Sequence, residues 1–190
     1  VPANGTLRVF IVYARGDREW REKVESSLAV LKRNREIEIW SDVDIMGGEE
    51  WEEAIEERLA AADVVLLLVS RLFLDSDFII QVEVPRALEL HEAGEALVVP
   101  VILSDCLWKE SELGKLQALP KDAEPLDEWG NQETGIAAFA TGFVTAVRGW
   151  DKRRRRPLGT RRTRPKRLTR PQNVPDAGRS AEKPIIEDKI

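Results

Sequence analysis

The chain has 190 residues, of which 43% are hydrophobic and 33% charged, with a formal net charge of −5. One cysteine, Cys106, and one histidine, His91, exclude an internal disulfide and the usual zinc ligand sets, so a reducing, cytoplasmic setting without a structural metal is expected. The longest apolar runs, residues 64–69 and 96–103, fall far short of the roughly 20 residues that cross a bilayer, and the first residues lack the basic-then-apolar pattern of a secretory signal.

Residues 7–14, LRVFIVYA, follow the turn-like Asn4-Gly5 and predict a first strand. Asp17 can cap the helix after it, in which Trp20, Val24, Leu28 and Leu31 recur at helical spacing. Residues 37–40 predict a short second strand. In the loop SDVDIMGG, residues 41–48, Asp42 and Asp44 suit a turn, and Gly47 and Gly48 allow backbone angles closed to other residues. Residues 49–61 predict a helix that opens on acids and places Trp51, Ile55 and Leu59 on one face. The run VVLLLV, residues 64–69, is too short for a helix and is bounded by Asp63 and Ser70, so it predicts a strand buried on both faces. Ligands of open parallel sheets bind beyond the carboxyl ends of such strands, which makes Ser70 and the residues up to Glu83 the expected crevice lining.

A helix is predicted to run from Glu83 through Ala87 and Leu90 to Gly94, with Pro85 either distorting it or standing in its first turn. Residues 97–103 predict a fourth strand, residues 113–119 a short helix and residues 125–129 a brief fifth strand. The last helix, residues 132–147, carries Ile136, Phe139, Ala140, Phe143, Val144 and Val147 on one stripe. Strands alternating with helices predict a three-layer α/β domain over residues 1–150, with a flavodoxin-like parallel sheet of five strands in the order 2-1-3-4-5. That domain carries a charge of −14, whereas residues 151–190 carry +9. Residues 152–170 hold eleven basic and no acidic side chains and predict a disordered tail. It is open to two uses, a solvated linker or a salt-sensitive arm for an anionic polymer or lipid.

The fold hosts many functions, so the crevice must decide. The third strand ends in Val69-Ser70 where a phosphate-accepting receiver domain needs an aspartate, and neither GxGxxG nor GxxxxGK[ST] is present. Four segments in register then carry a resemblance: VFIVYARGD (residues 9–17), WSDVDIMGGEEW (40–51), DVVLLLVSRLFLDSDFIIQVEVP (63–85) and VVPVIL (98–103). Together they resemble a bacterial Toll/interleukin-1 receptor (TIR) domain over residues 7–149. Two positions depart from the common bacterial pattern: Val12 and Ala14 stand where serines are frequent, and Phe78-Ile79 where a tryptophan often precedes the glutamate.

The resemblance implies a five-stranded flavodoxin-like fold and a catalytic role for Glu83 in cleaving NAD, as substrate, at its nicotinamide glycosidic bond, with no cofactor and no metal. It also implies antiphage defence signalling, activation through a separate sensor or scaffold protein, and self-association through residues 41–48, including Ile45, Met46, Gly47 and Gly48. Tyr13, Arg15, Asp42, Trp51 and Ser70 would border the nucleotide, with Arg15 near phosphate. Each also has a structural role open to it. Glu83 suits a helix start, Trp51 shares a core-facing stripe, Arg15 suits a solvated loop, Ser70 suits a strand end, and Ile45 and Met46 can tuck into the domain. A non-catalytic module that works by TIR–TIR assembly is the alternative.

Overall fold

The computed structural model describes residues 5–41 and 51–155, without the side chains of residues 51–53 and 155. Four strands, β1 (Leu7–Tyr13), β2 (Ile37–Trp40), β3 (Val64–Val69) and β4 (Leu97–Ile102), form one parallel sheet in the order β2-β1-β3-β4. Phe10 of β1 lies beside Val65 of β3, and Val65 beside Val98 of β4. Every residue of β3 is fully buried. Val65, Leu67 and Val69 face one core, with Phe10, Ile55, Phe73 and Leu90. Val64, Leu66 and Leu68 face the other, with Val9, Leu28, Phe139 and Phe143. Each such side chain contributes roughly 1.5–3 kcal/mol by leaving water, so this strand is the centre of the fold energetically as well as spatially.

Helices cover both faces. On one side lie α1 (Arg18–Ser27), the short α2 (Ala29–Arg33) and α6 (Gln132–Arg155); on the other lie α3 (Trp51–Ala61), α4 (Arg71–Leu74) and α5 (Val84–Glu92). The single helix expected after Asp17 is broken at Leu28, whose backbone (φ −94°, ψ 6°) leaves the helical region, although Val24 and Leu28 are buried as the spacing required. The Asp17 side chain does not cap α1 and is used elsewhere.

The fifth strand expected over residues 125–129 does not form, so among the described residues the sheet has four strands. Pro120 and Pro125 lack N–H donors and have fixed φ, which prevents a continuous ladder beside β4. Single contacts take its place. The Leu119 N–H donates to Pro100 O (2.8 Å), the Ile102 N–H to Leu119 O (2.9 Å), and the N–H groups of Leu126 and Asp127 to Ile102 O and Leu103 O, both at 3.0 Å. Pro100 is tolerated because its carbonyl, and with it the position of its missing N–H, points to this outer edge and away from β3. The short helix expected over residues 113–119 is replaced by two 3-10 turns, Leu107–Glu110 and Glu112–Lys115, after which Leu116 is extended.

The last helix continues beyond residue 147 to Arg155 and buries Trp150. Arg154 explains the extension. Its guanidinium stacks over Trp150 at 4.5 Å and donates to Asp63 Oδ1 at 2.7 Å. Asp63 is buried just before β3, where its other oxygen accepts the Arg8 N–H at 2.9 Å. The end of α6 is thereby tied to the start of the central strand. Replacing Arg154 with alanine is expected to lower the unfolding free energy by about 1.5–3 kcal/mol, the range for a hydrogen bond to a charged group. Replacing the exposed Arg153 should change it by less than about 0.5 kcal/mol. Urea denaturation of both variants checks this.

Candidate active site

A cavity of about 450 Å³ opens beyond the carboxyl end of β1. Its floor is Phe10 to Tyr13, continued by Ala14, Arg15 and Gly16. Ile55 of α3 forms one wall, and Leu72 of α4 with Ser76, Phe78, Ile79 and Glu83 forms another. The volume lies within the range of small-molecule sites, which are mostly apolar with a few placed polar groups. Here the polar residues are Tyr13, Arg15, Ser76 and Glu83, of which Tyr13 turns its ring to the other face of the sheet.

Sequence and fold place three of them. β1 ends at Tyr13 because the chain turns into a tight 3-10 turn, Arg15–Asp17, which leaves Arg15 exposed at the mouth. Arg21, buried on α1 and held by Glu25 at 2.8 Å, has its guanidinium 5.8 Å from the centre of the Tyr13 ring. Glu83 closes a π-helical turn, Ile79–Glu83, and is only 6% exposed, so its carboxyl belongs to the cavity wall and not to the solvated face of a helix.

Three of the residues expected at a nucleotide site, Tyr13, Arg15 and Glu83, are thus brought to one cavity. Ser70 is not among its lining residues. Its hydroxyl donates to Asp17 Oδ2 at 2.6 Å and accepts the Phe73 N–H at 3.1 Å, capping α4 and tying it to the loop after β1. Trp51 begins α3 one turn before the cavity residue Ile55, and its side chain lies outside the described atoms. Asp42, Ile45, Met46, Gly47 and Gly48 lie outside the described residues. Leu72 and Ser76 lie in the stretch from Ser70 to Glu83 that the sequence assigns to the crevice lining, whereas Gly16 was not expected there. Leu72 is 52% exposed, large for an apolar group at a cavity rim, and it rests against Gly16 so closely that a Cβ there would come within 2.5 Å of its Cδ1. Among the described residues, no cluster of three His, Cys, Asp or Glu could hold a metal ion, and no helix is long and apolar enough to cross a membrane.

Comparison with known proteins decides the family. The sequence model of the TIR domain family matches residues 9–139. This chain belongs to the TIR domain family. The uncharacterized protein y4lF of Sinorhizobium fredii is 41% identical over 139 residues, which is 73% of this chain and 43% of that protein. The chain therefore spans less than half the length of that curated relative. The crystal structure of the TIR domain of the Toll-related receptor TRR-2 from Hydra magnipapillata superposes with a TM-score of 0.51 over 75% of this chain and 99% of that one. At 18% identity, that likeness concerns the fold alone.

In this TIR domain the Asp17–Ser70 pair forms the buried seam beside the cavity. Burial raises the Asp17 carboxyl above its ordinary value, and donation from Ser70 offsets part of that rise. A raised carboxyl binds its proton more readily in the folded than in the unfolded chain. The cost of burying its charge is therefore fully present above the folded pKa and is relieved as pH falls from there towards 3.8. An Asp17→Asn variant, whose amide oxygen can still accept from Ser70, is expected to be more stable than wild type at pH 7. Its advantage should shrink as the pH approaches 4, in urea titrations run at each pH. Ser70→Ala removes the donor and the α4 cap together, and a loss of about 1–3 kcal/mol is expected in the pH 7 titration.

Proposed function

We propose that this TIR domain is an effector that cleaves NAD at the nicotinamide glycosidic bond, hydrolysing or cyclising the ADP-ribosyl product, in bacterial defence signalling. The observation that carries the reading is the placement of Glu83. A nearly buried carboxyl stands in the wall of a mostly apolar cavity of about 450 Å³, with an exposed arginine at its mouth.

The chemistry suits a single carboxylate. Nicotinamide leaves a cationic pyridinium as a neutral molecule, so its departure needs no proton donor. The barrier lies in the positive charge that grows on the ribose. A carboxylate fixed beside the sugar accepts hydrogen bonds from its hydroxyls and stabilises that charge, and apolar walls strengthen the effect by excluding water. Phe78, Ile79 and Leu72 offer apolar surface to the flat rings, and the fork of Arg15 suits the diphosphate oxygens. A separate sensor or scaffold protein would bring copies together and switch the domain on.

A second reading, a non-catalytic module acting by TIR–TIR assembly, draws on the apolar side chains left on the surface, Leu107 at 79% and Val30 at 57% exposure. Nicotinamide release from NAD separates the two. Concentrated full-length protein is expected to release nicotinamide, and both Glu83→Ala and Glu83→Gln should reduce the rate at least about 100-fold, the scale of losing one group that stabilises transition-state charge. Folded and assembled wild-type protein that releases none would select the interaction module.

A further inference from the structure

The helix that carries Glu83 is wound in an unusual way. Residues 77 and 78 are helical and pass into the π-helical turn Ile79–Glu83, which runs on into α5 without a break. Phe78, Glu83 and Val84 all keep helical angles, with φ between −63° and −71°. The Val84 N–H nevertheless bonds to Ile79 O, five residues back, where an α-helix would use Ile80 O.

The next residue is Pro85. Had the helix begun at Val84, a proline there would stand in the first turn, where its missing N–H costs nothing. The helix begins earlier, so Pro85 is interior. An interior proline leaves the carbonyl four residues back, that of Gln81, without its donor and drives its ring into that carbonyl. A widened turn relieves the clash by moving the carbonyl aside, and π turns of this kind recur at functional sites. Gln81, Pro85 and Arg86 are all exposed, so on this side of the helix no packed neighbour forces the distortion.

The extra residue has a consequence for the cavity. Ile79 is packed at the start of the turn, and Ala87 and Leu90 are packed after it. Rewinding the turn to α would rotate one group against the other by nearly one residue, about 100°. Both cannot then stay in place, and Glu83 stands at the junction. We infer that Pro85 is a positioning residue: by holding the π turn Ile79–Glu83, it sets where the Glu83 carboxyl stands in the cavity. The inference rests on the role given to Glu83 above, and it assigns Pro85 no contact with substrate.

The test compares full-length wild type, Pro85→Ala and, as a control on the same exposed face, Arg86→Ala. Through-hydrogen-bond NMR couplings report which carbonyl the Val84 N–H uses, and nicotinamide release from NAD reports kcat and KM. In Pro85→Ala the coupling is expected to move from Ile79 to Ile80, with kcat falling about tenfold and KM staying within about twofold, since displacement of a catalytic group acts on the chemical step. Arg86→Ala should change neither. A coupling that stays on Ile79 in Pro85→Ala overturns the inference, as does one that moves while kcat is unchanged. The couplings alone decide whether Pro85 holds the turn. Folded and assembled wild type that releases no nicotinamide would therefore overturn the reading of Glu83 and leave that decision standing.

Discussion

The six residues of β3 have no polar side chain to show to water on either face, and this constraint shapes the rest of the molecule. Both faces must be covered, which requires helices above and below. Parallel pairing on both edges requires crossovers that return the chain to the same end of the sheet. The helices then stand with their N-terminal ends near the carboxyl edge of the strands, and the cavity is the space left there. Asp63 and Ser70 bracket the apolar run, and each is buried with a charged partner. Arg154 and the Arg8 backbone hold Asp63 at the base, and Asp17 holds Ser70 at the top. The central strand is thus moored at both ends by polar contacts that its own side chains cannot make.

The same arrangement gives the buried acids two kinds of surroundings. Asp17 and Asp63 are buried away from the cavity, whereas Glu83 is buried within a wall that faces open volume. Burial alone does not distinguish them. What distinguishes Glu83 is the helix it rides on, which packs through Ile79, Val84, Ala87 and Leu90 and leaves the carboxyl on the cavity side of that packed stripe. The apolar lining and the exposed Arg15 at the mouth give the cavity an inner and an outer character.

Much of this was legible in the sequence because its signals are local. The bounds of β2 and β3 follow directly from β-branched and aliphatic runs between turn residues, and the stripe Ile136, Phe139, Phe143, Val147 gives α6 its buried face. Glu83 was legible as a candidate from its place after β3 and from the family resemblance. What failed to show depends on partners distant in the chain. Asp17 reads as a helix cap until Ser70, 53 residues away, is seen to claim its oxygen. The end of α6 reads as the start of a basic tail until Arg154 is seen against Asp63, 91 residues back. The fifth strand was expected from the flavodoxin-like order and the family resemblance, and Pro120 and Pro125 prevent it. Leu72 and Ser76 were legible only as part of the stretch after β3, and Gly16 gave no signal of its own. Pro85 did, as a proline inside a helical pattern, but the sequence does not say whether such a residue kinks, starts or widens a helix.

The contacts along the outer side of β4 bear on how copies of this domain can meet. Leu119, Leu126 and Asp127 occupy that side's donors and acceptors one at a time, so no foreign strand can lie along it. The opposite border of the sheet, β2, is four residues long and exposes the charge of Glu38, a poor template for another strand. Neither border lends itself to growth by strand addition. Any pairing of copies would therefore use helix and loop surfaces, with each copy keeping its sheet to itself, and its reversal would require no backbone pairing to be undone.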